Sequence, residues 1–453
     1  MKFTPDKASI KAHQVPDWFH DAKLGIFIHW GLFSVPAYAA GKLTLGESEK
    51  RGIEEHFKNN PYAEWYLNSL RIEGSPTQKY HAENYGENFS YDDFIPIFNE
   101  EIKKWNPKKM VDLFKKAGAK YVVLVTKHHD GFLLWPSKYP NPKKKNYNAS
   151  RDLVGELTKN VKLQGLKMGF YYSGALDWSW NPIPIKDGKN FVSNGPSEIE
   201  YTRYTNNHWY ELIDRYDPII LWNDIGYPPS TNVYEIFAYF YNKHPDGIIN
   251  DRWRQYHKSE IDHPKVRHWD FTTPEYETMP KITKKKWEST RGIGYSFGYN
   301  KLETEEDYLK PDELIHMFID IVSKNGNLLL NVGPMADGTI PEPQERVILG
   351  LGKWLEINGE SIYGTRPWIH AEGKTIDNID LRFTQKDNIL YIHLLEKPKG
   401  NSLTILSLTL DKNKKLQLFG TNGNLYWKQD GENIIVSLPE EIPDSLAYVL
   451  KFF

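Results

Sequence analysis

The stretch YDPIILWNDIGYPP, residues 216–229, places a strand-like apolar run directly before a carboxylate. Four large apolar residues, 219–222, lead to Asp224, and Gly226 with the two prolines that follow then turns the chain. A short apolar run that ends at such residues is typical of a buried strand. When helices connect parallel strands, the loops after the strands build the functional site. This stretch therefore predicts an α/β fold with an acid at its functional end.

Strand-like runs alternate with helical patterns over the first 360 residues, which predicts a parallel sheet with helical connections. Eight candidate strands favour a (β/α)₈-type barrel, and a doubly wound sheet is the competing architecture. The predicted strands are residues 25–30, 121–127, 167–173, 218–224, 247–251, 266–271, 292–297 and 327–332. The predicted helices are residues 110–118, 151–165, 232–244, 312–326 and 346–359.

From about residue 366 the pattern changes to strands alone, separated by Asn, Gly, Asp and Pro turns. Such spacing predicts an antiparallel β-sandwich. We therefore divide the chain into a (β/α)₈-like barrel at residues 1–365 and a smaller C-terminal β-sandwich at residues 366–453. The strand-like runs of the sandwich are residues 380–387, 388–396, 402–410, 415–420, 433–439 and 446–453.

Charge and composition exclude several classes of function. The 57 Lys and Arg nearly balance the 59 Asp and Glu, so no electrostatic attraction favours nucleic acid or an anionic membrane as a partner. The first residues lack the apolar core of a signal peptide, and we expect a cytoplasmic chain. With zero cysteines, disulfides and thiol nucleophiles are excluded. A homo-oligomer is compatible with all of these features.

Motifs of cofactor and metal chemistry are missing from the sequence. We find no Walker loop, no Gly-x-Ser-x-Gly elbow and no Gly-x-Gly-x-x-Gly after a strand. The 15 histidines form neither His-x-His nor His-Glu-x-x-His. His128 and His129 are neighbours, and on an extended strand they would point to opposite faces. We therefore expect neither a metal nor a cofactor.

Polar side chains close several of the predicted strands. His29 follows GIFI, His128 and His129 follow YVVLVTK, and Asp224 and Arg252 follow two later strands. Because the carboxyl ends of barrel strands face one mouth, we expect these side chains to meet there. Histidines and aromatic residues around paired carboxylates fit glycoside hydrolysis, which needs one ionised acid and one protonated acid.

Two carboxylates are the candidates for this pair. Asp224 suits the ionised role because a strand end fixes its position and Arg252 can stabilise its charge. An acid on a longer, more flexible connection suits the role of proton donor. Glu275, which follows the run HWDFTT, is our choice for it.

Six segments resemble the α-L-fucosidases of glycoside hydrolase family 29 and occur in the order of that family. The resemblance implies a barrel followed by a β-sandwich, no metal or cofactor, and hydrolysis of terminal α-linked L-fucose with retention of configuration. Fucosylated oligosaccharides or glycosides would then be its substrates. The segments are WFHDAKLGIFIHWGLFSVPAY (18–38), NPYAEWYLNSL (60–70), YVVLVTKHHDGFLLW (121–135), RDLVGEL (151–157), LWNDIGYP (221–228) and GNLLLNVGPMADGTIP (326–341).

The same resemblance implies roles for individual residues. The aspartate of the Trp-Asn-Asp-x-Gly block is the nucleophile, which is Asp224 here. The order NDRW, HWDF and Pro-Glu-Tyr points to Glu275 as the acid/base, although an extra polar stretch at residues 255–265 lies close to it. No short motif marks this acid, so three competitors stay open: Glu64, Glu277 and Glu288. The residues implied to hold fucose are His29, Glu64, Trp65, His128, His129, Tyr171, Trp222 and Arg252, with Phe297 beside the ring and its methyl group.

Two alternative functions also stay open at this point. A retaining exo-glycosidase for a related sugar, such as an α-L-galactoside, would differ in the pocket around the substituent at C5. A non-catalytic sugar-binding protein would keep the fold but would not need both acids.

Overall fold

The computed structural model describes residues 2–43, 47, 50–255 and 268–453. In this part of the chain, the strands before residue 333 all belong to one parallel, seven-stranded sheet. Their bounds are β1 Leu24–Ile28, β2 Tyr121–Lys127, β3 Lys167–Ser173, β4 Ile220–Asp224, β5 Ile248–Ile249, β6 Trp287–Gly292 and β7 Gly326–Val332.

The strand order of this sheet is β5-β4-β3-β2-β1-β7-β6, so β1 pairs with both β2 and β7. A doubly wound sheet reverses its order at a switch point, and this sheet contains no such reversal. Isolated parallel bridges join Asn250 to Phe271 and Thr272 to Trp287, which links the ends of the sheet at β5 and β6. The sheet is therefore curled in the manner of a barrel, as predicted, with seven strands in the described residues instead of eight.

Two of the predicted strands need correction. The strand predicted at residues 292–297 is wrong, because the observed strand is β6 and ends at Gly292. Its inward-facing side chains include Glu288 and Thr290, so it lacks the apolar alternation that reveals a strand. Of the strand predicted at residues 266–271, the first two residues lie outside the described residues. Phe271 contributes only an isolated bridge.

An apolar cluster fills the interior of the curled sheet. Phe27, Tyr171 and Trp222 form its part nearest the carboxyl ends of the strands, with Tyr171 beside Trp222 in the register of β3 and β4. Their rings lie 5.0 to 5.8 Å apart between centroids. Fully burying a large apolar side chain stabilises a protein by about 1.5–3 kcal/mol. The site above these rings therefore rests on a packed floor instead of an open pore.

Helices cover the outside of the sheet, and the five predicted helices overlap observed ones. The helix Ile199–Tyr216 was missed, because its buried face is rich in Tyr, Trp and His instead of aliphatic residues. No helix among the described residues is long and apolar enough to cross a membrane. The helices are Lys7–Ile10, Asp17–Ala22, Ile53–Lys58, Tyr66–Leu70, Pro76–Tyr85, Phe94–Glu101, Pro107–Lys116, Leu153–Leu163, Gly188–Ser193, Ile199–Tyr216, Val233–Lys243, Pro311–Ser323 and Glu342–Asn358.

A buried ion pair ties the N-terminal segment to the chain that leads to Glu275. His13 Nδ1 lies 2.8 Å from Asp270 Oδ1, and His13 Nε2 lies 3.1 Å from the Pro245 carbonyl oxygen. Both partners are acceptors, so both ring nitrogens donate and the ring is an imidazolium. Burial lowers the pKa of His13, but the hydrogen bond and charge of Asp270 outweigh it and raise the pKa. His13, His268 and Asp270 also have spacing that suits a metal ion, and binding one there would require His13 to lose a proton.

The chain after residue 365 forms antiparallel sheets, as predicted for this part. One sheet has the order β12-β15-β10-β9-β8 and the other β11-β14-β13, and both enclose an apolar core of their own. The strands β8 and β13 were missed, because both are largely exposed and polar. The bounds are β8 Arg366–Lys374, β9 Asp380–Lys386, β10 Ile389–Leu394, β11 Ser402–Ile405, β12 Leu416–Leu418, β13 Trp427–Asp430, β14 Asn433–Ser437 and β15 Tyr448–Phe452.

Candidate active site

A cavity of about 250 Å³ opens at the carboxyl ends of the parallel strands. Every residue that the sequence predicted for the site lines this one cavity. They are Asp224, Glu275, His29, Glu64, Trp65, His128, His129, Tyr171, Trp222, Arg252 and Phe297.

Asp224 is the last residue of β4, and the chain turns sharply after it. Ile225 and Gly226 both have positive φ, of 54° and 85°. That conformation suits glycine but strains a β-branched residue such as Ile225. The Gly226 amide donates to the Arg252 carbonyl at 3.0 Å, which holds the turn against the next strand connection. The strand and the turn together fix the direction of the Asp224 side chain.

The Asp224 carboxylate is held from two sides. Arg252 Nη1 donates to Oδ1 at 2.9 Å, and the Tyr171 hydroxyl donates to Oδ2 at 2.8 Å. Burial by itself would raise the pKa of Asp224, but the charge of Arg252 and these two hydrogen bonds outweigh it and lower the pKa. Asp224 is therefore an ionised carboxylate at neutral pH.

The same guanidinium reaches the second carboxylate. Arg252 Nη2 lies 3.3 Å from Glu275 Oε2, and the Tyr62 hydroxyl donates to Oε1 at 2.9 Å. Burial raises the pKa of Glu275, and the neighbouring Asp224 charge adds to this effect, so that together they outweigh Arg252. The two carboxylates therefore share one arginine while their pKa values shift in opposite directions.

Arg252 is itself fixed by the surrounding chain. Its Nε donates to Thr273 Oγ1 at 2.9 Å, and Nη2 donates to the Thr273 carbonyl at 3.0 Å. Its guanidinium carbon lies 4.7 Å from the centroid of the Trp222 ring, within cation–π distance. The fork of donors is thus oriented before any ligand arrives.

Glu275 lies in the connection between β5 and β6, as expected for a donor on a longer loop, but the loop is anchored locally. Glu275 forms an isolated parallel bridge with Thr290 of β6. Tyr276 follows with a φ of 53°, and its hydroxyl donates to the Tyr295 carbonyl at 2.9 Å. The extra polar stretch at residues 255–265, apart from Gln255, lies outside the described residues.

The three competing acids occupy different positions. Glu277 is exposed and does not line the cavity. Glu288 is buried in the barrel interior, where it accepts from Trp222 Nε1 at 3.1 Å and the Tyr121 hydroxyl at 2.5 Å. Glu64 also lines the cavity, but its carboxyl accepts from the Gly298 amide in the connection between β6 and β7. Of the four acids, Glu275 is the one that shares an arginine with Asp224.

His29 offers a neutral acceptor to the cavity. Its Nδ1 donates to Asn331 Oδ1 at 2.7 Å, and the Asn331 amide nitrogen donates in turn to the Phe297 carbonyl at 2.7 Å. Burial lowers the pKa of His29 to about 4, so the ring is neutral and Nε2 keeps its lone pair. A sugar hydroxyl can donate to such a nitrogen.

His128 and His129 both line the cavity, with ring centroids 4.0 Å apart. The expectation that they point to opposite faces is wrong, because β2 ends at Lys127 and its alternation stops there. His129 Nδ1 donates to Ser173 Oγ at 2.6 Å, and burial lowers its pKa to about 3. Its Nε2, which is an acceptor in the neutral ring, lies 3.9 Å from Asp224 Oδ2, and a ligand hydroxyl can donate to one or the other.

Glu64 enters the cavity as a carboxylic acid. The Gly298 amide donates to its Oε2 at 2.7 Å. A Cβ at position 298 would lie 2.9 Å from the Phe33 ring, so glycine permits this close approach. Burial raises the pKa of Glu64 to about 8, which keeps it protonated at neutral pH and able to donate.

Sequence reasoning missed several residues of the cavity, most importantly Tyr62. This residue stands two positions before Glu64 in the segment NPYAEWYLNSL, and nothing distinguishes it there from the other aromatic residues. The structure gives it a role because its hydroxyl donates to Glu275. The other residues missed by the sequence are Phe27, Ile53, His56, Phe57, Asn60, Gly188, Phe191, Ile225 and Thr290.

A buried and a half-buried carboxyl with opposed pKa shifts, at the mouth of a parallel barrel and among imidazoles and indoles, are characteristic of a glycoside hydrolase. A family model described as alpha-L-fucosidase matches residues 1–360, and one described as the alpha-L-fucosidase C-terminal domain matches residues 375–453. The chain belongs to the α-L-fucosidase family.

Individual relatives agree with this assignment. The tissue alpha-L-fucosidase of Mus musculus is 34% identical over 469 residues, which cover 99% of this chain and 94% of that protein. The alpha-L-fucosidase of Dictyostelium discoideum is 33% identical over 456 residues, covering 97% and 89%. The crystal structure of Thermotoga maritima alpha-fucosidase in complex with fucose is 44% identical with a TM-score of 0.89, and each chain covers 100% of the other.

The protonated state of Glu64 predicts how fucose affinity depends on pH. Since burial raises the pKa of Glu64 to about 8, the carboxyl donates below that pH and loses its proton above it. We expect the affinity of the wild type for fucose, measured by calorimetry, to fall between a pH of about 6 and about 9. Glu64→Gln keeps a donor at this position and should bind with a flat pH profile. A wild type whose affinity for fucose stays constant over this range would contradict the role of Glu64 as a protonated donor.

Proposed function

We propose that the protein hydrolyses terminal α-linked L-fucosides with retention of configuration, through a covalent fucosyl-enzyme. The observation that carries the proposal is the sharing of one arginine by two carboxylates of opposed pKa. Asp224, which Arg252 and Tyr171 fix at the strand end, is suited to attack and Glu275 to donate a proton, a division of roles that is compatible with retaining hydrolysis. The names of the relatives supply the sugar, because they are described as α-L-fucosidases.

In the first step, Asp224 attacks C1 of fucose and the bond from C1 to the leaving oxygen breaks. Glu275 donates its proton to that oxygen, so the aglycone departs as a neutral alcohol. The positive charge that develops on the sugar is stabilised by the Asp224 carboxylate. The Tyr171 hydroxyl and Arg252, which hold this carboxylate, keep it aimed during the attack.

In the second step, Glu275 has become a carboxylate and acts as a base. It takes a proton from water, the water oxygen attacks C1, and the ester bond to Asp224 breaks. Two inversions at C1 give overall retention. Tyr62 and Arg252 both contact Glu275 and can stabilise the charge that it carries between the two steps.

The pocket offers groups that suit a deoxy sugar. His29, His129 and Glu64 present acceptors and a donor for ring hydroxyls. Trp65, Trp222 and Phe297 supply flat apolar surfaces for the C–H faces of the ring and for a methyl group. A non-catalytic sugar-binding protein would need neither the strained turn after Asp224 nor two acids that share one arginine.

Asp224→Gly should lower kcat for an aryl fucoside by about 10³-fold or more, because the attacking carboxylate is gone while the cavity remains. Added azide fits the space vacated by the side chain and should restore turnover, with β-L-fucosyl azide as the product seen by NMR. Asp217→Gly is the matched control, since Asp217 is an exposed aspartate with a φ of 57° that glycine adopts readily. Full activity of the Asp224 variant would disprove the assigned nucleophile.

Glu275→Ala should reduce kcat/KM by about 10² to 10⁴ on a fucosyl disaccharide, whose leaving oxygen needs a proton. The loss should be far smaller on a nitrophenyl fucoside, whose leaving group departs as an anion. Glu277→Ala, which alters an exposed glutamate two positions away, should match the wild type on both substrates. Equal losses on the two substrates would assign the proton donor to another residue.

A further inference from the structure

One buried carboxyl group takes no part in the proposed reaction. Glu288 belongs to β6 and is fully buried inside the barrel. Its Oε1 accepts from Trp222 Nε1 of β4 at 3.1 Å, and its Oε2 accepts from the Tyr121 hydroxyl of β2 at 2.5 Å. Burying a carboxyl group costs free energy that an apolar side chain would not cost. The position of Glu288 therefore suggests a role other than stability.

The indole of Trp222 is the contact that leads from Glu288 to the site. Trp222 lines the cavity, and its N–H, which can only donate, is its one polar group. An oxygen that accepts from this N–H fixes the direction of the ring edge. Asp224 follows two residues later on the same strand and therefore faces the same side of the sheet. Glu288 thus holds one ring of the floor directly beside the nucleophile.

Trp222 contacts both groups that donate to the Asp224 carboxylate. The centroid of its ring lies 4.7 Å from the guanidinium carbon of Arg252, which donates to Oδ1. The Tyr171 ring lies 5.5 Å from it at an angle of 24°, and the Tyr171 hydroxyl donates to Oδ2. Cation–π and stacking contacts both depend on the angle of the ring. A rotated indole would therefore disturb both donors at once.

The other surroundings of Glu288 point away from the site. Tyr121 is the first residue of β2, so it lies near the amino ends of the strands, opposite the cavity. Lys286, two residues before Glu288, is also buried, but its Nζ donates to the Asn325 carbonyl at 3.2 Å. Of the two side chains that donate to Glu288, Trp222 is the one that lines the cavity.

We propose that Glu288 is a positioning residue that acts through the Trp222 indole. It keeps the two donors of the Asp224 carboxylate, Arg252 and Tyr171, in place. The reach of its oxygen to the indole N–H is what matters, and its charge is not required. The inference rests on the proposed function, because the step that it serves is the attack of Asp224 on C1. A poorly aimed nucleophile lowers kcat more than it changes KM.

Two variants of Glu288 separate reach from charge. Glu288→Asp keeps the charge but withdraws the oxygen by one methylene, and it should lower kcat for an aryl fucoside about tenfold, with KM changed about threefold or less. Glu288→Gln keeps an oxygen for the indole, and its amide nitrogen can donate to the Tyr121 hydroxyl, so kcat should stay within about threefold of the wild type. A wild-type kcat in Glu288→Asp, or a larger loss in Glu288→Gln, would overturn the proposal.

A second background tests whether the effect passes through the indole. Trp222→Phe removes the N–H and keeps an aromatic face toward Arg252. Because the route from Glu288 is then missing, Glu288→Asp and Glu288→Gln should have equal kcat in this background. A difference of about tenfold that persists in Trp222→Phe would contradict the proposal.

Glu211→Asp is the matched control. Glu211 is buried, accepts from Trp135 Nε1 at 3.0 Å and is not among the residues that line the cavity. Its kcat should equal that of the wild type, with folding of every variant checked by circular dichroism. Should Glu288→Asp not fold, Glu288→Gln decides, because a retained kcat supports the proposal and a loss of about tenfold contradicts it. A wild type that hydrolyses no fucoside would instead refute the proposed function.

Discussion

The site depends on one guanidinium that is shared by two carboxylates. Arg252 donates from separate nitrogens to Asp224 and Glu275, while Thr273 and the Trp222 ring hold it in place. A planar fork of donors can serve two acceptors at once, whereas the ammonium of a lysine is a point charge. Without this cation, burial would favour the protonated form of both acids. Arg252 lies closer to Asp224 than to Glu275, and Tyr171 also donates to Asp224, so the charge of Asp224 is the better stabilised of the two.

The fold supplies this arrangement through the ends of its strands. β4 delivers Asp224, and the turn at Ile225 and Gly226 is tied back to the Arg252 carbonyl. Glu275 comes from a connection that is bridged to β6. The packed rings of Phe27, Tyr171 and Trp222 fill the barrel below the site, so neither acid can turn its side chain into the interior. Rigid positioning of this kind is what a reaction between a carboxylate and a sugar carbon requires.

The sequence predicted most strands of the barrel and the residues of the site, and it failed where polar side chains face the interior. Strands with apolar runs were found, and the polar residues that end them marked the site. β6 was misplaced because its inward side chains, Glu288 among them, are polar. Tyr62 was missed because its hydroxyl contacts Glu275, which lies far away along the chain. Asn60 was missed because its contact with the Tyr62 amide is a local turn that no periodic pattern of residues reveals. The sharing of Arg252 also depends on loop geometry that spacing along the chain does not encode.

The stereochemistry of the first product tests this account most directly. The proposed mechanism has Asp224 attack C1 itself, whereas an inverting enzyme uses a water held between its two acids. Retaining enzymes place such carboxyls about 5–5.5 Å apart, and inverting enzymes about 6.5–9.5 Å. Proton NMR during hydrolysis of an aryl α-L-fucoside should show α-L-fucose appearing first, before mutarotation produces the β anomer. Initial release of β-L-fucose would contradict the account.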